Sequence, residues 1–278
     1  MEIGIVGAGF TGRAIAKMVA KSGLRVRLVD IDSRALLLAV EIIHKDLHRL
    51  VAAGEMTNYE KDILLQNIKT STDYGDLADC SIILEFLPED LELKKRVIKL
   101  VDKASPSGII VTGTSSLSIN KIASAAKKPQ RIIGLHFTHR PTEISVVEII
   151  PGRKTSPATL KKVQEFCAHL KQEVIMATDI PGFIYNRLVF GIINEAANMI
   201  DKKMATAESV DSVMRIGMGL PQGPLALADD IGLDYIHAVL TNMFAATKDK
   251  CFKPAAGIAK LVRAKQFGKK SGQGFYKY

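Results

Sequence analysis

The N-terminal stretch MEIGIVGAGFTGRAIAKMVAKSGLRVRLVD, residues 1–30, decides the fold. A short apolar run at 3–6 leads into a glycine loop, and a second apolar run at 26–29 ends on Asp30. The loop consists of Gly7, Ala8, Gly9, Phe10, Thr11 and Gly12. Gly7 permits a tight turn, Gly9 lets the backbone approach a pyrophosphate, and Gly12 lets the following helix pack on the strand. The order strand, glycine loop, helix and strand with a terminal acid predicts a dinucleotide-binding unit.

Asp30 indicates which dinucleotide is bound. At the tip of the second strand its carboxylate can accept hydrogen bonds from both ribose hydroxyls, and it repels a 2′-phosphate, so we expect NAD rather than NADP. The free N–H groups at the start of the first helix would face the phosphates. The competing interpretation is a plain turn followed by a solvated aspartate.

The composition indicates an ordinary globular protein. The chain has 278 residues, 47% hydrophobic and 24% charged, and two domains are usual at this length. No apolar run reaches the length of a membrane span, and Glu2 in a strand does not fit a signal peptide, so we expect a cytoplasmic protein without a membrane partner. Cys80, Cys167 and Cys251 lack metal-binding or disulfide spacing, which predicts buried thiols and no metal site.

The net charge of +9 is concentrated near the C-terminal end. Residues 241–278 contain eight Lys and one Arg against Asp249 alone. This concentration indicates either a basic face near a polyanionic ligand or a solvated lysine-rich surface, and both interpretations stay open. We expect no nucleic-acid partner, because the sequence has neither a recognisable nucleic-acid-binding module nor a pattern in which aromatic and basic residues alternate.

Alternating strands and helices predict a doubly wound α/β sheet in a first domain, residues 1–180. Further apolar runs occur at 81–84, 109–112, 132–135, 146–150 and 173–177. Such alternation is typical of a parallel sheet whose ligands bind at the carboxyl ends of the strands. Helical patterns at 33–53 and 58–66, separated by Gly54, predict a helical-hairpin insertion that acts as a lid or substrate arm.

A second, all-helical domain is predicted for residues 181–278. Pro181 and Gly182 end the preceding element, and helical patterns follow at 184–201, 207–216 and 233–247. The first of these helices has an apolar face that favours packing against a second subunit. This face comprises Ile192, Ile193, Ala196, Ala197 and Ile200.

His136 and Glu148 are the candidates for proton transfer. Hydride transfer from an alcohol needs a base for the hydroxyl proton and a group that orients the base. His136 follows the apolar run 132–135, which places its imidazole at the ligand edge of the sheet. A lone His is often structural, but Glu148 lies in the adjoining apolar run, where a carboxylate needs a buried partner. Pairing with Glu148 would orient the His136 ring.

Ser115 and Asn186 are candidates for holding a substrate oxygen. The apolar run at 109–112 is followed by Thr114, Ser115 and Ser116. These hydroxyls could cap the next helix, but Ser118 can serve as that cap, which leaves Ser115 to donate a hydrogen bond to a substrate oxygen. Asn186 lies in the first turns of the helix after the Pro181 hinge, from where it could reach back toward the cleft. By itself it is only a polar helix residue.

Several motifs together resemble the L-3-hydroxyacyl-CoA dehydrogenase family. Besides the glycine loop, they lie at 114–119, 134–137, 147–148, 181–187, 221–234 and 268–276. In sequence they read TSSLSI, GLHF, VE, PGFIYNR, PQGPLALADDIGLD and GKKSGQGFY. The resemblance covers nearly the whole chain, and its last two motifs are highly specific.

The resemblance implies a Rossmann-type domain followed by a helical dimerisation domain, acting as a homodimer. The implied reaction, part of fatty-acid metabolism of the β-oxidation type, is the oxidation of an L-3-hydroxyacyl-CoA to the 3-ketoacyl-CoA with NAD. His136 would be the general base, Glu148 its orienting partner, and Ser115 and Asn186 the groups holding substrate oxygens. Three further residues match positions that contact the cofactor or close the cleft over it, namely Glu89, Lys94 and Lys270.

The chain departs from the family pattern in three places. Phe, Asn and Pro usually follow the His–Phe pair, whereas this chain has Thr138, His139 and Arg140. Gly113 replaces an Asn before Thr114. In the helical arm, Ala52 and Ala53 replace a lysine pair that helps to bind the CoA phosphates in the family, and Asp46 replaces a small polar residue. The basic residues His48 and Arg49 lie nearby in the sequence and could compensate for the missing lysines.

We therefore expect an enzyme of the 3-hydroxybutyryl-CoA dehydrogenase type. One alternative is a family relative that oxidises a different 3-hydroxy acid or an unusual acyl-CoA, which the replaced lysines and His139 motivate. The other is a dinucleotide-binding structural protein without activity, and the retained Ser115, His136, Glu148 and Asn186 weigh against it.

Overall fold

The computed structural model describes residues 1–138 and 146–278, which divide into two compact units. Unit 1 comprises residues 1–114 and 118–179, and unit 2 comprises residues 115–117 and 180–278. The short segment Ser115–Leu117 therefore groups with the C-terminal part of the chain, which its position in the sequence does not indicate.

The described residues of unit 1 form an eight-stranded sheet in the order β3-β2-β1-β4-β5-β6-β7-β8. The strands are β1 (Glu2–Val6), β2 (Arg25–Val29), β3 (Ile68–Ser71), β4 (Ile82–Glu85), β5 (Ile109–Thr112), β6 (Ile132–Phe137), β7 (Val146–Pro151) and β8 (Glu173–Met176). All neighbours pair parallel except β6 and β7. The carboxyl ends of β1, β2, β4, β5 and β6 thus lie at one edge of the sheet.

The predicted doubly wound sheet is confirmed, but the expectation of a wholly parallel sheet is wrong at β7. Only eight residues separate Phe137 from Val146, and a parallel return needs a crossover of a dozen residues or more. The strand β3 was not predicted, because its sequence IKTS contains one hydrophobic residue and the strand lies at the sheet edge.

Six α-helices lie in the described part of unit 1. They are α1 (Phe10–Lys21), α2 (Ser33–Ala52), α3 (Asn58–Gln66), α4 (Leu91–Ala104), α5 (Ile119–Ala123) and α6 (Pro157–His169). The predicted hairpin is formed by α2 and α3. Its helices have strong N-terminal signals: the Asp32 carboxylate caps α2, and Thr57 with Glu60 forms a capping box on α3.

Unit 2 contains no strand among its described residues and has five α-helices. They are α7 (Tyr185–Asp201), α8 (Ala207–Met218), α9 (Pro224–Ile231), α10 (Leu233–Thr247) and α11 (Ala256–Arg263). Sequence patterns predict α7, α8 and α10, whereas the eight-residue helices α9 and α11 are too short for a clear period.

The predicted intersubunit face on α7 is partly wrong. Ile193, Ala196 and Ala197 are buried in the core of unit 2 itself, and Ile200 packs against that core. Only Ile192 of that set is exposed, with 42% of its surface accessible. Apolar residues therefore lie both on the buried face of α7 and on its exposed face.

Two thiols are buried and one is not. Cys80 and Cys167 are buried, and burial raises the pKa of Cys80 to about 11 and that of Cys167 to about 12. The expectation of a buried thiol is wrong for Cys251, which is exposed in a short turn after α10 where the neighbouring Phe252 takes the interior position. Among the described residues, no helix combines the length and apolarity needed to cross a bilayer.

Candidate active site

The glycine loop between β1 and α1 has close backbone packing at two of its three glycines. Gly7 has a φ of +102°, and a Cβ there would lie 2.6 Å from the carbonyl oxygen of Phe86. A Cβ on Gly12 would overlap the carbonyl oxygen of Gly7, so the helix can pass this close to the turn only without a side chain. Around Gly9 the space is open, which leaves its backbone approachable from outside.

The start of α1 fits a bound pyrophosphate. Gly9 is the N-cap, no side chain caps the first turn, and that turn has no acidic residue. The N–H groups at the start of a helix then remain donors for an anion, and the helix dipole favours one. Phe10 is 66% exposed beside the loop, while Ala8 is buried.

Asp30 connects the second strand to the loop. Its Oδ2 accepts a hydrogen bond of 2.8 Å from the Ala8 N–H, and its Oδ1 accepts one of 3.0 Å from the Asp32 N–H. These bonds hold the carboxylate in one orientation and leave each oxygen further acceptor capacity. Ile31, the next residue, is 76% exposed and provides an apolar surface beside the carboxylate. The residues present therefore fit the adenosine half of NAD.

A buried ion pair lies behind the segment that follows β4. Lys94 and Glu85 are both fully buried, and Lys94 Nζ donates to Glu85 Oε1 at 2.7 Å and to the Leu87 carbonyl at 3.1 Å. Thr112 Oγ1 and the Leu87 N–H also donate to the Glu85 carboxylate. Lys94, expected near the cofactor, thus has its ammonium group in the interior of unit 1. Glu85 was not singled out from the sequence, where its only signal is a carboxylate at the end of an apolar run.

Glu89 contacts the end of the next strand. Its Oε1 accepts a hydrogen bond of 2.7 Å from Thr114 Oγ1, which ties the segment after β4 to the segment after β5. Thr114 is buried. Glu89 therefore lies at the carboxyl edge of the sheet, and its role toward the cofactor stays a prediction.

His136 and Glu148 are brought together by the antiparallel pairing of β6 and β7. The two residues are directly opposite on β6 and β7, an arrangement that places both side chains on one face about 5 Å apart at Cβ. His136 Nδ1 lies 2.6 Å from Glu148 Oε2, and both residues are buried, with 5% and 2% of their surfaces exposed. An ionised carboxylate only accepts hydrogen bonds, so a ring that carries its hydrogen on Nδ1 can donate to Glu148 and keep Nε2 as a proton acceptor.

In unit 2, Asn186 and Ser115 form a second cluster. Asn186 is buried in the first turn of α7, and its Nδ2 donates to the carbonyl oxygen of Ser115 at 3.0 Å. The Ser115 hydroxyl shares a hydrogen bond with the hydroxyl of Tyr235. Tyr235 was not predicted, since a tyrosine near the start of an amphipathic helix carries no sequence signal of its own.

Ser118 is the N-cap of α5, as expected if Ser115 is not needed to cap this helix. Its hydroxyl and the Ile119 N–H both donate to the Asp179 carboxylate, at 2.8 and 2.9 Å. Asp179 thereby binds the first turn of this helix from the end of unit 1, a contact between residues distant in sequence that no local pattern reveals.

Lys270, the last expected cofactor residue, forms an ion pair within unit 2. Its Nζ lies 2.7 Å from Asp234 Oδ2, and its side chain is 49% exposed. Its neighbour Lys269 pairs with Asp230. The two ion pairs connect these lysines to α9 and α10, so part of the positive charge of the C-terminal segment is neutralised within unit 2. The two interpretations of this charge, a basic face near a polyanionic ligand and a solvated lysine-rich surface, stay open.

The buried Asp229 explains the motif at the C-terminal end. Its carboxylate accepts hydrogen bonds from the Phe275 and Tyr276 N–H groups at 3.0 and 2.9 Å, and burial raises its pKa. A Cβ at Gly268 or Gly274 would overlap Asp229. The glycines of this motif therefore allow the chain end to pack on α9.

Three of the residues that depart from the family pattern have partners in the structure. A Cβ on Gly113 would overlap the ring of Phe86, so Phe86 fills the space that a larger residue at 113 would need. Asp46 forms a 2.6 Å ion pair with Lys17 of α1, which fastens the arm to the first helix. The buried Thr138 donates a hydrogen bond to the Val146 carbonyl.

The remaining departures concern the arm and the segment after Thr138. Ala52 and Ala53 are exposed at the end of α2, and His48 and Arg49 are exposed one turn earlier. His139 and Arg140 lie outside the described residues. Within the described ranges, no group of three or more His, Cys, Asp or Glu side chains is arranged to hold a metal ion.

Comparisons with known proteins agree over the full chain. The family described as "3-hydroxyacyl-CoA dehydrogenase, NAD binding domain" matches residues 2–180, and "3-hydroxyacyl-CoA dehydrogenase, C-terminal domain" matches residues 182–278. A probable 3-hydroxybutyryl-CoA dehydrogenase of Deinococcus radiodurans is 35% identical over 100% of both chains. A 3-hydroxybutyryl-CoA dehydrogenase of Clostridioides difficile is 35% identical over 100% of this chain and 99% of that protein. The crystal structure of (S)-3-hydroxybutyryl-CoA dehydrogenase from Ralstonia eutropha superimposes with a TM-score of 0.92 at 36% identity, covering 100% of this chain and 98% of the other.

Proposed function

Because the chain belongs to the 3-hydroxyacyl-CoA dehydrogenase family, we propose that it is an NAD-dependent enzyme that interconverts an L-3-hydroxyacyl-CoA and the 3-ketoacyl-CoA. A substrate of the 3-hydroxybutyryl-CoA type is supported by the names of its full-length relatives. The observation that carries the chemistry is the buried hydrogen bond between His136 and Glu148 at the carboxyl edge of the sheet.

In this proposal His136 moves the proton. In the oxidation, Nε2 takes the proton of the 3-hydroxyl group while the C3–O bond becomes a carbonyl; in the reverse direction Nε2 returns it. Glu148 fixes the ring orientation through Nδ1 and stabilises the imidazolium that forms. NAD, when bound, would accept the hydride that leaves C3 of the substrate.

In this proposal different residues bind the cofactor and the substrate oxygen. The glycine loop and Asp30 would bind the adenosine and pyrophosphate, and Glu89, Lys94 and Lys270 are proposed to act near the cofactor, Lys94 through the fold of the segment it supports. Ser115 and Asn186 would hold substrate oxygens, and Ser115 donates directly. These roles rest on the positions of the residues and on the family motifs that contain them.

The test of this proposal is a substrate panel. Purified protein should oxidise NADH in the presence of acetoacetyl-CoA, with a kcat/KM at least about tenfold higher for NADH than for NADPH. Turnover of free acetoacetate at least as efficient as that of acetoacetyl-CoA would refute the acyl-CoA assignment. Absence of turnover with every 3-keto compound would instead favour a structural role for the dinucleotide fold.

The arm supports one second candidate, a relative that acts on a different 3-hydroxy acid or an unusual acyl-CoA. The exposed Ala52 and Ala53 offer no cation to a phosphate, and the exposed Arg49 lies three residues before Ala52 in the sequence. Acetoacetyl-pantetheine, which lacks the nucleotide phosphates, separates the two candidates. Equal kcat/KM for it and for acetoacetyl-CoA would show that the arm does not recognise the nucleotide end.

We propose that the enzyme is a homodimer. Ile184, the N-cap of α7, and Leu188 and Ile192 within this helix are spaced four residues apart and are 43%, 63% and 42% exposed. On α8, Val213 and Ile216 are 69% and 76% exposed. Apolar residues at this spacing form a continuous stripe that a partner covers. Light scattering should give twice the chain mass, and Leu188→Asp should reduce it to one; a monomeric wild-type protein would exclude the dimer.

A cytoplasmic location and a place in fatty-acid metabolism of the β-oxidation type complete the proposal. The three free cysteines fit a reducing compartment. Location can be read from a fluorescent fusion in the source cell, and the metabolic role from accumulation of 3-hydroxyacyl-CoA esters after deletion.

A further inference from the structure

The hydroxyl of Ser115 shares a hydrogen bond with the hydroxyl of Tyr235, inside unit 2. Ser115 is 7% exposed, and Tyr235, the third residue of α10, is 38% exposed. The pair joins two residues 120 positions apart. A polar contact between a candidate substrate-binding group and a distant side chain is the kind of arrangement that fixes a rotamer.

The hydrogen count of the two hydroxyls determines the direction of this bond. Each hydroxyl has one hydrogen to donate and lone pairs to accept. If Ser115 gives its hydrogen to a substrate oxygen, the shared bond must be donated by Tyr235. A phenol is the more acidic of the two groups and therefore the better donor. The Tyr235 hydroxyl then polarises the serine hydroxyl and strengthens the bond that Ser115 donates.

The surroundings of Tyr235 hold it in position for this role. Its ring packs edge to face against Phe190 of α7, with ring centroids 6.2 Å apart and an angle of 90° between the planes. Phe190 is buried in the core of unit 2, as is Ile236, the residue after Tyr235. One side of the ring is therefore packed against the core of unit 2, and the hydroxyl at its tip meets Ser115.

Ser115 is consequently held at two points. Asn186, one turn before Phe190 on the same helix, donates to the Ser115 carbonyl at 3.0 Å, while Tyr235 binds the hydroxyl. The next residue, Ser116, accepts a 3.3 Å hydrogen bond from Asn242 of α10. Helices α7 and α10 together fix the backbone and the side chain of this segment.

We propose that Tyr235 is a positioning residue for the dehydrogenase reaction: it donates to Ser115 Oγ and so directs the serine hydrogen toward the substrate oxygen. This inference rests on the proposed role of Ser115. It assigns to Tyr235 an effect on turnover that acts only through the serine hydroxyl.

The experiment is a double-mutant cycle with Tyr235→Phe and Ser115→Ala. Tyr235→Phe removes one hydroxyl and keeps the ring against Phe190, so the melting temperature should change little. We expect kcat/KM for acetoacetyl-CoA to fall about tenfold, the loss of one hydrogen bond. In the Ser115→Ala background, Tyr235→Phe should have no further effect, because its acceptor is gone.

A matched control removes another hydroxyl from the same helix. Thr241 on α10 donates only to the His237 carbonyl of its own helix, and Thr241→Val should leave kcat/KM within twofold of wild type. A Tyr235→Phe enzyme with wild-type kcat/KM, or one that loses the same factor with and without Ser115, would overturn the inference. If Ser115→Ala is impaired in either of these cases, the role of Ser115 stands and only the role of Tyr235 fails. Full activity of Ser115→Ala would overturn both.

Discussion

Nδ1 of His136 lies 2.6 Å from Oε2 of Glu148, and the two residues face each other across antiparallel strands. The pairing of β6 with β7 fixes the distance between the two groups, so the ring and carboxylate are oriented by the sheet and not by a flexible loop. Burial keeps both groups from water, which strengthens their interaction.

Glu148→Gln tests what the carboxylate contributes beyond orientation. Glutamine has nearly the same shape and can still accept from Nδ1, but it cannot stabilise a positively charged ring. We expect kcat to fall about 100-fold or more, with a melting curve close to that of wild type. Glu165→Gln, the same change at an exposed position of α6, should have no effect. An unchanged kcat for Glu148→Gln would exclude Glu148 from the mechanism.

Asp30 should determine the choice between NAD and NADP. Asp30→Asn keeps the size of the side chain and removes the charge that repels a 2′-phosphate. The ratio of kcat/KM for NADPH over NADH should rise at least about tenfold. Asp32→Asn removes a charge two residues away and retains a residue able to cap α2, so it should leave the ratio unchanged. If both variants change the ratio equally, general charge and not a contact of Asp30 sets the preference.

The buried pair of Lys94 and Glu85 should matter more for stability than its surface counterparts. Lys94→Met leaves a buried carboxylate without its cation, and we expect a loss of about 3–5 kcal/mol in the free energy of unfolding, measured by urea denaturation. Combining it with Glu85→Gln, which keeps an acceptor for Leu87, should restore most of this loss. Lys99→Met, at an exposed position of the same helix, is the control.

The same variants separate a structural Lys94 from one that contacts NAD. If the Lys94→Met, Glu85→Gln protein regains stability and binds NADH with wild-type affinity, Lys94 acts through the fold. If Lys94→Met keeps full stability and loses NADH affinity, the ion pair is not its main role, and a direct contact with the cofactor is supported.

Gly113 and Phe86 should be energetically coupled. A methyl group at 113 would overlap the Phe86 ring, which in turn packs edge to face on Phe137, at a centroid distance of 6.0 Å. Gly113→Ala should lower the free energy of unfolding by about 1–3 kcal/mol. In a Phe86→Ala background the same change should cost much less. Strictly additive losses in thermal or urea unfolding would show that the two sites do not compete for space.

Much of the fold and the chemistry could be predicted from local patterns. The dinucleotide unit, the helical hairpin and most of the strands follow from hydrophobic periodicity and capping residues, which act within a few positions. The pairing of His136 with Glu148 was predicted from the cost of burying a carboxylate. The antiparallel direction of β7 follows from the short connection between β6 and β7, a constraint that the sequence itself contains.

Other features depend on contacts between distant residues and left no local signal. Tyr235 meets Ser115, and Asp179 meets Ser118, through the tertiary fold alone. Glu85 pairs with a lysine nine positions away, and Asp229 accepts hydrogen bonds from residues more than forty positions away. The division of α7 into a buried and an exposed stripe likewise requires knowledge of what packs against it. The domain limits of 1–180 and 181–278 stay a prediction.

The most direct test of the central claim is the turnover of His136→Ala with acetoacetyl-CoA and NADH, measured beside its affinity for NADH. The account predicts that kcat falls about 10²–10⁴-fold, the contribution of a general acid or base, while the NADH dissociation constant from fluorescence titration stays within about threefold of wild type. A variant that keeps wild-type turnover, or one that loses NADH binding together with activity, would contradict the assignment of His136 as the proton-transfer group.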